Sequence, residues 1–207
     1  SPQTRIYQAS SSEMFGLSAQ DIQDEQTPFS PCSPYGASKL FAHNMISSFR
    51  REYGLFAVGG ILFNHESERR GEAFVTRKIA RAVAQIKRGD KHDLDLGNMN
   101  AHRDWGFAGD YTRAMQLMMD HHEPVDFVIA TGTKHSVAEF CRAAFDVVNL
   151  NWRNYIRHEP SLYRKSDIEG LCGDARLARE KLGWMPQLSF EQLVERMVEA
   201  ELQRASM

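Results

Sequence analysis

The chain has 207 residues, 42% hydrophobic and 25% charged, the make-up of an ordinary globular protein with one sizeable core, or one core and a small appendage. Its 25 Lys and Arg against 27 Asp and Glu leave a net charge of −2, which gives no electrostatic case for nucleic acid or an anionic membrane. No apolar run approaches the ~20 residues needed to cross a bilayer, so the expectation is a soluble cytoplasmic protein with neither nucleic acid nor membrane as partner.

Ser1-Pro2 opens without Met and a strand follows almost at once, so the chain reads as the middle of a longer protein. Arg5 to Ser10 is predicted as that strand. Asp21 to Pro34 is polar, holds three prolines and reads as loop. Tyr35 to Tyr53 is predicted as a helix, because Ala42, Met45, Phe49 and Tyr53 fall at spacings of three and four as an apolar stripe; Gly54 ends it. LFAVGGILF, Leu55 to Phe63, is a near-continuous apolar run suited to a parallel strand buried on both faces. Phe74 to Arg88 is an amphipathic helix, Asp93 to Leu96 a short strand, and Ala108 to His121 a helix turning Tyr111, Ala114, Leu117 and Met118 inward.

DFVIATG, Asp126 to Gly132, is another buried strand. SVAE at Ser136 is a capping box opening the next helix, SFEQ at Ser189 repeats the device, and Asp174 to Leu182 is a short helix closed by Gly183. Strands alternating with helices predict an α/β fold with a parallel sheet. Ligands of such sheets lie beyond the carboxyl ends of the strands. Three polar clusters are expected there: Ser10 to Glu13, Asn64 to Arg70, and Thr131-Gly132. Cys32, Cys141 and Cys172 are far apart, form no C-x-x-C pair and suit a reducing compartment. The eight histidines show no H-x-x-x-H spacing, and adjacent His121 and His122 suit a helix end better than a metal, so no metal site is expected.

Tyr35 and Lys39 are four apart in a helix and share a face. A free tyrosine has a pKa of about 10, too high for a base at neutral pH. A lysine ammonium and the positive end of a helix both favour the phenolate, and a three-unit change takes ~4 kcal/mol. Alone, Y-x-x-x-K is equally a chance pair on a solvated helix face. Glu13, at the end of a buried strand, reads either as a surface loop residue or as a general acid/base. Ser11 and Ser12 read either as turn formers or as donors to a substrate oxygen.

The combination S-S-S-E, P-Y-G-A-S-K and N-H-E-S-x-R-R-G resembles the extended short-chain dehydrogenase/reductases that act on nucleotide sugars, and among them the GDP-mannose 4,6-dehydratases. The resemblance runs the length of the chain, through YQASSSE, TPFSPCSPYGASK, GILFNHES, RRGEAFVTRKI, LGNMNAHRDWGFAGDY, DFVIATG and LYRKSDIEGLCGD. It implies the C-terminal part of a Rossmann-type doubly wound parallel sheet plus a small α/β substrate-binding subdomain. Residues 1–63 would be a partial Rossmann domain with the catalytic residues, 64–104 mainly a substrate-binding segment, 105–150 a return to the Rossmann domain, and 151–207 mainly the C-terminal substrate-binding subdomain.

The resemblance also implies roles. Tyr35 would deprotonate the carbon-4 hydroxyl of GDP-mannose while hydride passes to NADP, Ser11 would bond that oxygen, and Lys39 would hold the nicotinamide ribose. Glu13 would remove the carbon-5 proton and assist loss of the carbon-6 hydroxyl. His65 and Arg70 would contact NADP, and Ser12, Asn64, Lys78, Arg103 and Arg164 the substrate. The milder readings are that Lys78 and Arg81 form an exposed helix face and that Arg103 pairs with Asp104.

Family members are commonly dimers or tetramers, and a homo-oligomer is expected. An acid at Glu13 argues against the epimerases, and Ser12, where the dTDP-glucose dehydratases carry aspartate, favours the GDP-mannose type. The chain departs from the pattern at Glu68, where proline is usual, and at Lys165, which replaces proline after Tyr163-Arg164; Asp167 and Glu169 follow the family's acids. No G-x-x-G-x-x-G occurs, so the pyrophosphate-binding third has no counterpart here. This piece alone is expected to bind cofactor poorly and turn over negligibly, whereas its intact parent should be active. A related epimerase, reductase or decarboxylase, or a non-catalytic nucleotide-sugar-binding module, are the competing readings.

Overall fold

The computed structural model describes residues 4–163 and 170–204. The elements run β1 (Ile6–Ser11), α1 (Pro34–Tyr53), β2 (Ala57–Leu62), β3 (Asn64–Glu66), α2 (Val75–Arg88), β4 (Leu94–Leu96), β5 (His102–Phe107) and α3 (Ala108–Asp120). They continue with β6 (Phe127–Ile129), β7 (Lys134–Ser136), α4 (Val137–Val147), β8 (Ile156–His158), α5 (Arg176–Leu182) and α6 (Phe190–Arg204). The fold is α/β with parallel sheets. Among the described residues, no helix is long and apolar enough to cross a membrane.

The chain divides into two compact units. The first comprises Ser1–His65, Asp104–Lys134 and Gly170–Gln187. Its sheet has the order β1-β2-β6, all parallel, with Ser11 opposite Leu62 and Leu62 opposite Ile129. The pleat sends alternate side chains to opposite faces. Val58, Leu62, Phe127 and Ile129 pack with Tyr111, Ala114 and Met118 of α3, and with Ala178 and Trp184. Ile61, Phe63, Val128 and Ala130 pack on the other face with Met14, Phe15, Phe29 and Leu40. Burial on both faces is why β2 needed a continuous apolar run rather than an alternating one: all six of its residues are buried.

The second unit comprises Glu66–Arg103, His135–Glu169 and Leu188–Met207. Its core holds Ile79, Val83 and Ile86 from α2, Phe140, Cys141 and Phe145 from α4, and Leu193, Val194, Met197 and Val198 from α6. Beside it runs a short parallel pair, β4 with β8.

These units divide the chain differently from the expected segments at two places. Residues 135–150 were expected with the first sheet but lie in the second unit, because α4 turns its Phe140, Cys141 and Phe145 toward the α2 and α6 core. Residues 170–187 were expected in the C-terminal subdomain but lie in the first unit, where Ala178 and Trp184 complete the core under α3.

Local signals decide several boundaries. Ser33 caps α1 by accepting from the Gly36 N–H, Pro34 stands in its first turn, and Gly54 closes it at φ 63°. The Ser136 box is complete: Ser136 Oγ accepts from the Glu139 N–H at 3.1 Å, and Glu139 Oε2 accepts from the Ser136 N–H at 2.6 Å. Ser136→Ala is therefore expected to lower the unfolding free energy by about 1 kcal/mol, read from urea denaturation. The Ser136 N–H and hydroxyl hold the Glu139 carboxyl below its ordinary value. A depressed carboxyl stabilises the fold above the unfolded-state pKa and loses that contribution as pH falls through the folded one. The difference between the wild type and Glu139→Gln should accordingly shrink on the acid side.

The expected inward stripe of the first helix is not found either. The apolar stripe of α1 does not face the core: Met45 and Phe49 are exposed and Tyr53 is 66% exposed, as is Phe41 at 68%. The only buried residues of the helix are Gly36 and His43. Apart from Leu40, the side that meets the sheet makes polar contacts through Lys39, His43 and Arg50. The stretch from Asp21 to Pro34 is loop as expected, yet Gln23 and Thr27 are buried, and Gln23 bridges to Gly173 with its side chain accepting from the Cys172 N–H.

Candidate active site

Of the polar clusters expected at the carboxyl end of the β1-β2-β6 sheet, Ser10 to Glu13, Asn64-His65 and Thr131-Gly132 belong to the unit that holds this sheet. After β1, Ser12–Met14 make one 3₁₀ turn. Ser11 Oγ caps it by accepting from the Glu13 N–H at 3.2 Å, and fully buried Met14 and Phe15 anchor it in the core. Ser11 and Ser12 are nearly buried, whereas Glu13 is half-buried.

The first turn of α1 lies against this turn, and Gly36 is the reason it can. A Cβ at Gly36 would come within 2.5 Å of the Glu13 carbonyl oxygen, so only glycine allows this seating. Tyr35, the residue before it, is 54% exposed at the mouth of the site. Lys39 follows one turn later. Its Nζ donates to the Ala9 carbonyl of β1 at 2.9 Å and stands 5.5 Å from the centre of the Tyr35 ring. The structure thus brings Ser11, Ser12, Glu13, Tyr35 and Lys39 to one end of β1.

Asn64 and His65 begin β3 directly after β2. The His65 ring stacks on Tyr111 with centroids 4.9 Å apart, and Nδ1 donates to the Phe63 carbonyl at 2.8 Å. These residues belong to the same unit as the catalytic candidates.

Arg70, Lys78 and Arg103 lie in the second unit. The Arg70 guanidinium stacks 3.5 Å from the Phe74 ring centre, with Nε 3.2 Å from the buried Glu66 carboxylate. Burial pushes the Glu66 carboxyl up, while Arg70 and the Thr76 hydroxyl pull it down. Lys78 Nζ donates to the Asp95 carbonyl at 2.7 Å, and Arg103 donates to the His102 carbonyl at 2.7 Å. Arg164, with Lys165, Asp167 and Glu169, lies outside the described residues.

Glu68, the acid where proline is usual, does not stand as an uncompensated charge beside Arg69 and Arg70. Its carboxylate receives Arg196 of α6 at 3.1 and 3.3 Å, and that pairing holds it below the ordinary range. Its carbonyl receives Arg77 at 2.9 Å and Arg204 at 2.6 Å, and Arg77 also donates to the Arg70 carbonyl at 2.8 Å. Three arginines therefore fix the path of the 68–70 loop within this unit.

Two polar arrays of the first unit were not foreseen. Asp104, 1% exposed, accepts from the Thr131 N–H and hydroxyl on one oxygen and from the Gly132 and Gly173 N–H groups on the other. Burial pushes its carboxyl up and these four hydrogen bonds act against that rise. The second array is Ser10, His43, Asp126 and Arg50. It has the residue types of a nucleophilic triad, but Ser10 is 3% exposed and His43 Nε2 is 3.9 Å from Asp126, so it offers no accessible nucleophile. The available signal was register: Tyr35, Lys39 and His43 recur every four residues along α1.

The sequence and the fold are each similar to known proteins. The sequence profile of the family described as GDP-mannose 4,6 dehydratase matches residues 1–197. The chain belongs to that family. GDP-mannose 4,6 dehydratase 2 of Arabidopsis thaliana is 52% identical over 97% of this chain and 54% of its own length. The GDP-mannose 4,6 dehydratase of Homo sapiens is 45% identical over 96% and 58%. The chain thus spans little more than half the length of these dehydratase relatives. Among solved structures, RMD from Pseudomonas aeruginosa complexed with NADPH superposes with a TM-score of 0.87 at 21% identity, covering 96% of this chain and 66% of that one. A dTDP-glucose 4,6-dehydratase from Bacillus anthracis in complex with NAD gives 0.87 at 19%, covering 99% and 64%. At these identities the two structures show a shared fold alone.

Proposed function

We propose that the full product of this gene is a GDP-mannose 4,6-dehydratase, a lyase that converts GDP-D-mannose to GDP-4-keto-6-deoxy-D-mannose. One observation carries the reading: the turn holding Ser11 and Glu13 abuts, through Gly36, the helix turn holding Tyr35 and Lys39. That seating supports a reading in which Glu13 and Tyr35 serve as acid–base groups, with Lys39 as the cation, near the carboxyl end of a parallel strand, where such folds take ligands.

The donor set suits the nicotinamide half of NADP, with a half-exposed phenol and an ammonium on one helix face. Bound there, NADP supplies a transient hydride acceptor that is restored by the end of the reaction, so the net change is loss of water. Tyr35 and Lys39 would hold the nicotinamide ribose, and His65 and Arg70 would hold other parts of the cofactor. Tyr35 Oη, in the deprotonated form that the Lys39 ammonium favours, takes the proton of the carbon-4 hydroxyl and becomes a neutral phenol, with Ser11 Oγ bonded to the same oxygen. The carbon-4 ketone acidifies carbon 5, whose proton Glu13 removes. Glu13 then passes a proton to the carbon-6 hydroxyl as it leaves as water, and the 4-keto-6-deoxy product is reached when carbon 6 regains the hydride and carbon 5 a proton. Ser12, Asn64, Lys78, Arg103 and Arg164 hold the nucleotide sugar, arginine suiting a diphosphate because its fork bonds two oxygens at once. The product of the full gene acts as a dimer or tetramer.

Incubation of that product with GDP-mannose and NADP⁺ is expected to give a nucleotide sugar lighter by one water with no net change in the cofactor. A product of unchanged mass and inverted configuration would make the protein an epimerase. Recovery of GDP-mannose intact would end both readings.

A further inference from the structure

The face of α1 that meets the sheet carries hydrogen-bonding groups beside one apolar contact, Leu40. Lys39 reaches the Ala9 carbonyl, His43 reaches Ser10, and Arg50 reaches Asp126. His43 is the buried member, 6% exposed, and its Nδ1 is 2.8 Å from Ser10 Oγ. Asp126 Oδ2 lies 3.9 Å from its Nε2. Arg50 holds that carboxylate by both oxygens, at 2.7 and 2.8 Å, and the Gly59 N–H donates to it at 2.6 Å. Phe29 packs edge-on against the imidazole, with centroids 5.4 Å apart.

Gly59 supplies the space. A Cβ there would stand 2.7 Å from His43 Nδ1 and 3.1 Å from Asp126 Oδ1, so the imidazole fills the room left by a missing side chain on β2. Ser10 is the immediate neighbour of both Ala9, which receives Lys39, and Ser11, which caps the Glu13 turn. A bond from His43 to Ser10 therefore references α1 to the stretch of β1 from which the Glu13 turn departs. Tyr35 lies eight residues from His43, about 12 Å along the helix axis, so a small slide or rotation at His43 is carried directly to the phenol. Apolar packing resists such a slide weakly, because it has no direction; a hydrogen bond in a fitted cradle resists it strongly.

We propose that His43 is a positioning residue for the reaction given above: seated in the Gly59 cradle and bonded to Ser10, it sets the register of Tyr35 and Lys39 against Ser11 and Glu13. The inference rests on that functional reading for its kinetic consequence, but its structural half can be tested alone. Burial lowers the basicity of His43, Asp126 opposes this and Arg50 adds to it, in keeping with a neutral ring bonded to a hydroxyl.

The test uses the full gene product as wild type, His43→Leu, His43→Gln, Gly59→Ala and the Gly59→Ala/His43→Leu double variant. With GDP-mannose and NADP⁺, His43→Leu and Gly59→Ala should each lower kcat by about 10²-fold per folded molecule, leaving KM at its wild-type value, as expected for misplacement of reacting groups. His43→Gln, which keeps a group able to bond Ser10, should recover part of the loss. The double variant should be little slower than His43→Leu, because the close approach to the ring is gone and the added Cβ meets only Asp126 Oδ1, at 3.1 Å. Amide hydrogen exchange, which needs no substrate, should show the Gly36 and Ala37 N–H groups less protected in both single variants, with β2 unchanged.

Wild-type kcat in folded His43→Leu, or independent multiplication of the two losses, would overturn the positioning role. Wild-type protection at Gly36 and Ala37 in both single variants would overturn it whatever the substrate is. Failure of the wild type to consume GDP-mannose, with the exchange result as expected, would instead reject the functional reading and leave the register device standing.

Discussion

Glu13→Gln in the full gene product is expected to oxidise carbon 4 of GDP-mannose and stop there, with dehydrated product formed about 10²–10⁴ times more slowly than by the wild type. Glutamine has the shape of glutamate, and the hydrogen bond that orders the turn comes from the backbone N–H at position 13, not the side chain. Buried Met14 and Phe15 are untouched, so the turn and its contact with Gly36 persist. An amide cannot take the carbon-5 proton at neutral pH. Reduced cofactor and a 4-keto hexose should therefore accumulate together to one equivalent of enzyme, where the wild type shows neither at steady state. Tyr35→Phe should behave in the opposite way, because loss of the phenolic oxygen blocks the earlier proton transfer and no reduced cofactor forms. The pair of variants orders the two proton transfers. Dehydration by Glu13→Gln at the normal rate would remove Glu13 from the chemistry.

The parts of the fold that were legible in the sequence are those where local chemistry and tertiary packing agree. The run around Ala57–Leu62 is apolar throughout because the strand is covered on both faces, and its length separates it from a helix. The Ser136 and Ser189 caps were readable because their hydrogen bonds join residues three apart; at the second, Gln192 Oε1 accepts from the Ser189 N–H at 2.9 Å. Three-residue strands such as β7 and β8 carry no period and gave no signal.

The stripe on α1 misled because apolar spacing reports a core only when the partner surface is apolar. Here the partner includes the Ala9 carbonyl, Ser10 Oγ and the Gly59 gap, so apart from Leu40 the contacting side of the helix is largely polar and Phe41, Met45 and Phe49 are exposed. Within the site, Tyr35, Lys39 and Glu13 could be named from motif and resemblance, while their convergence rests on Gly36, whose role is visible only once the Glu13 carbonyl lies against it. The buried polar anchors were illegible for a related reason: each joins residues distant in sequence, and a carboxylate in RDWGF looks the same whether it faces water or a loop.

Asp104 is the anchor whose loss should cost most. Asp104→Ala is expected to reduce the unfolding free energy by about 3–5 kcal/mol, a large part of the roughly 5–15 kcal/mol typical of a domain. The carboxylate gathers the Thr131 N–H at 2.9 Å, the Thr131 hydroxyl at 2.6 Å, the Gly132 N–H at 3.0 Å and the Gly173 N–H at 3.3 Å. The hydroxyl can rotate to another acceptor, but the three amide donors are fixed by the backbone. Each left unpaired away from water costs about 1–3 kcal/mol, partly relieved where the loop can open to solvent. Asp104→Asn should lie between wild type and alanine, because its single carbonyl oxygen can still serve one side of the array while its NH₂ meets N–H groups on the other. Asp90→Ala is the matched control: that exposed aspartate pairs with Arg88 at 2.8 Å, and a surface pair contributes only about 0–1 kcal/mol. Urea unfolding of the full gene product measures all three. If Asp104→Ala falls no further than Asp90→Ala, the 131–132 and 173 segments are held by the apolar core around Ala130 and Phe63 alone, and the buried carboxylate is not what closes the loop over the end of β6.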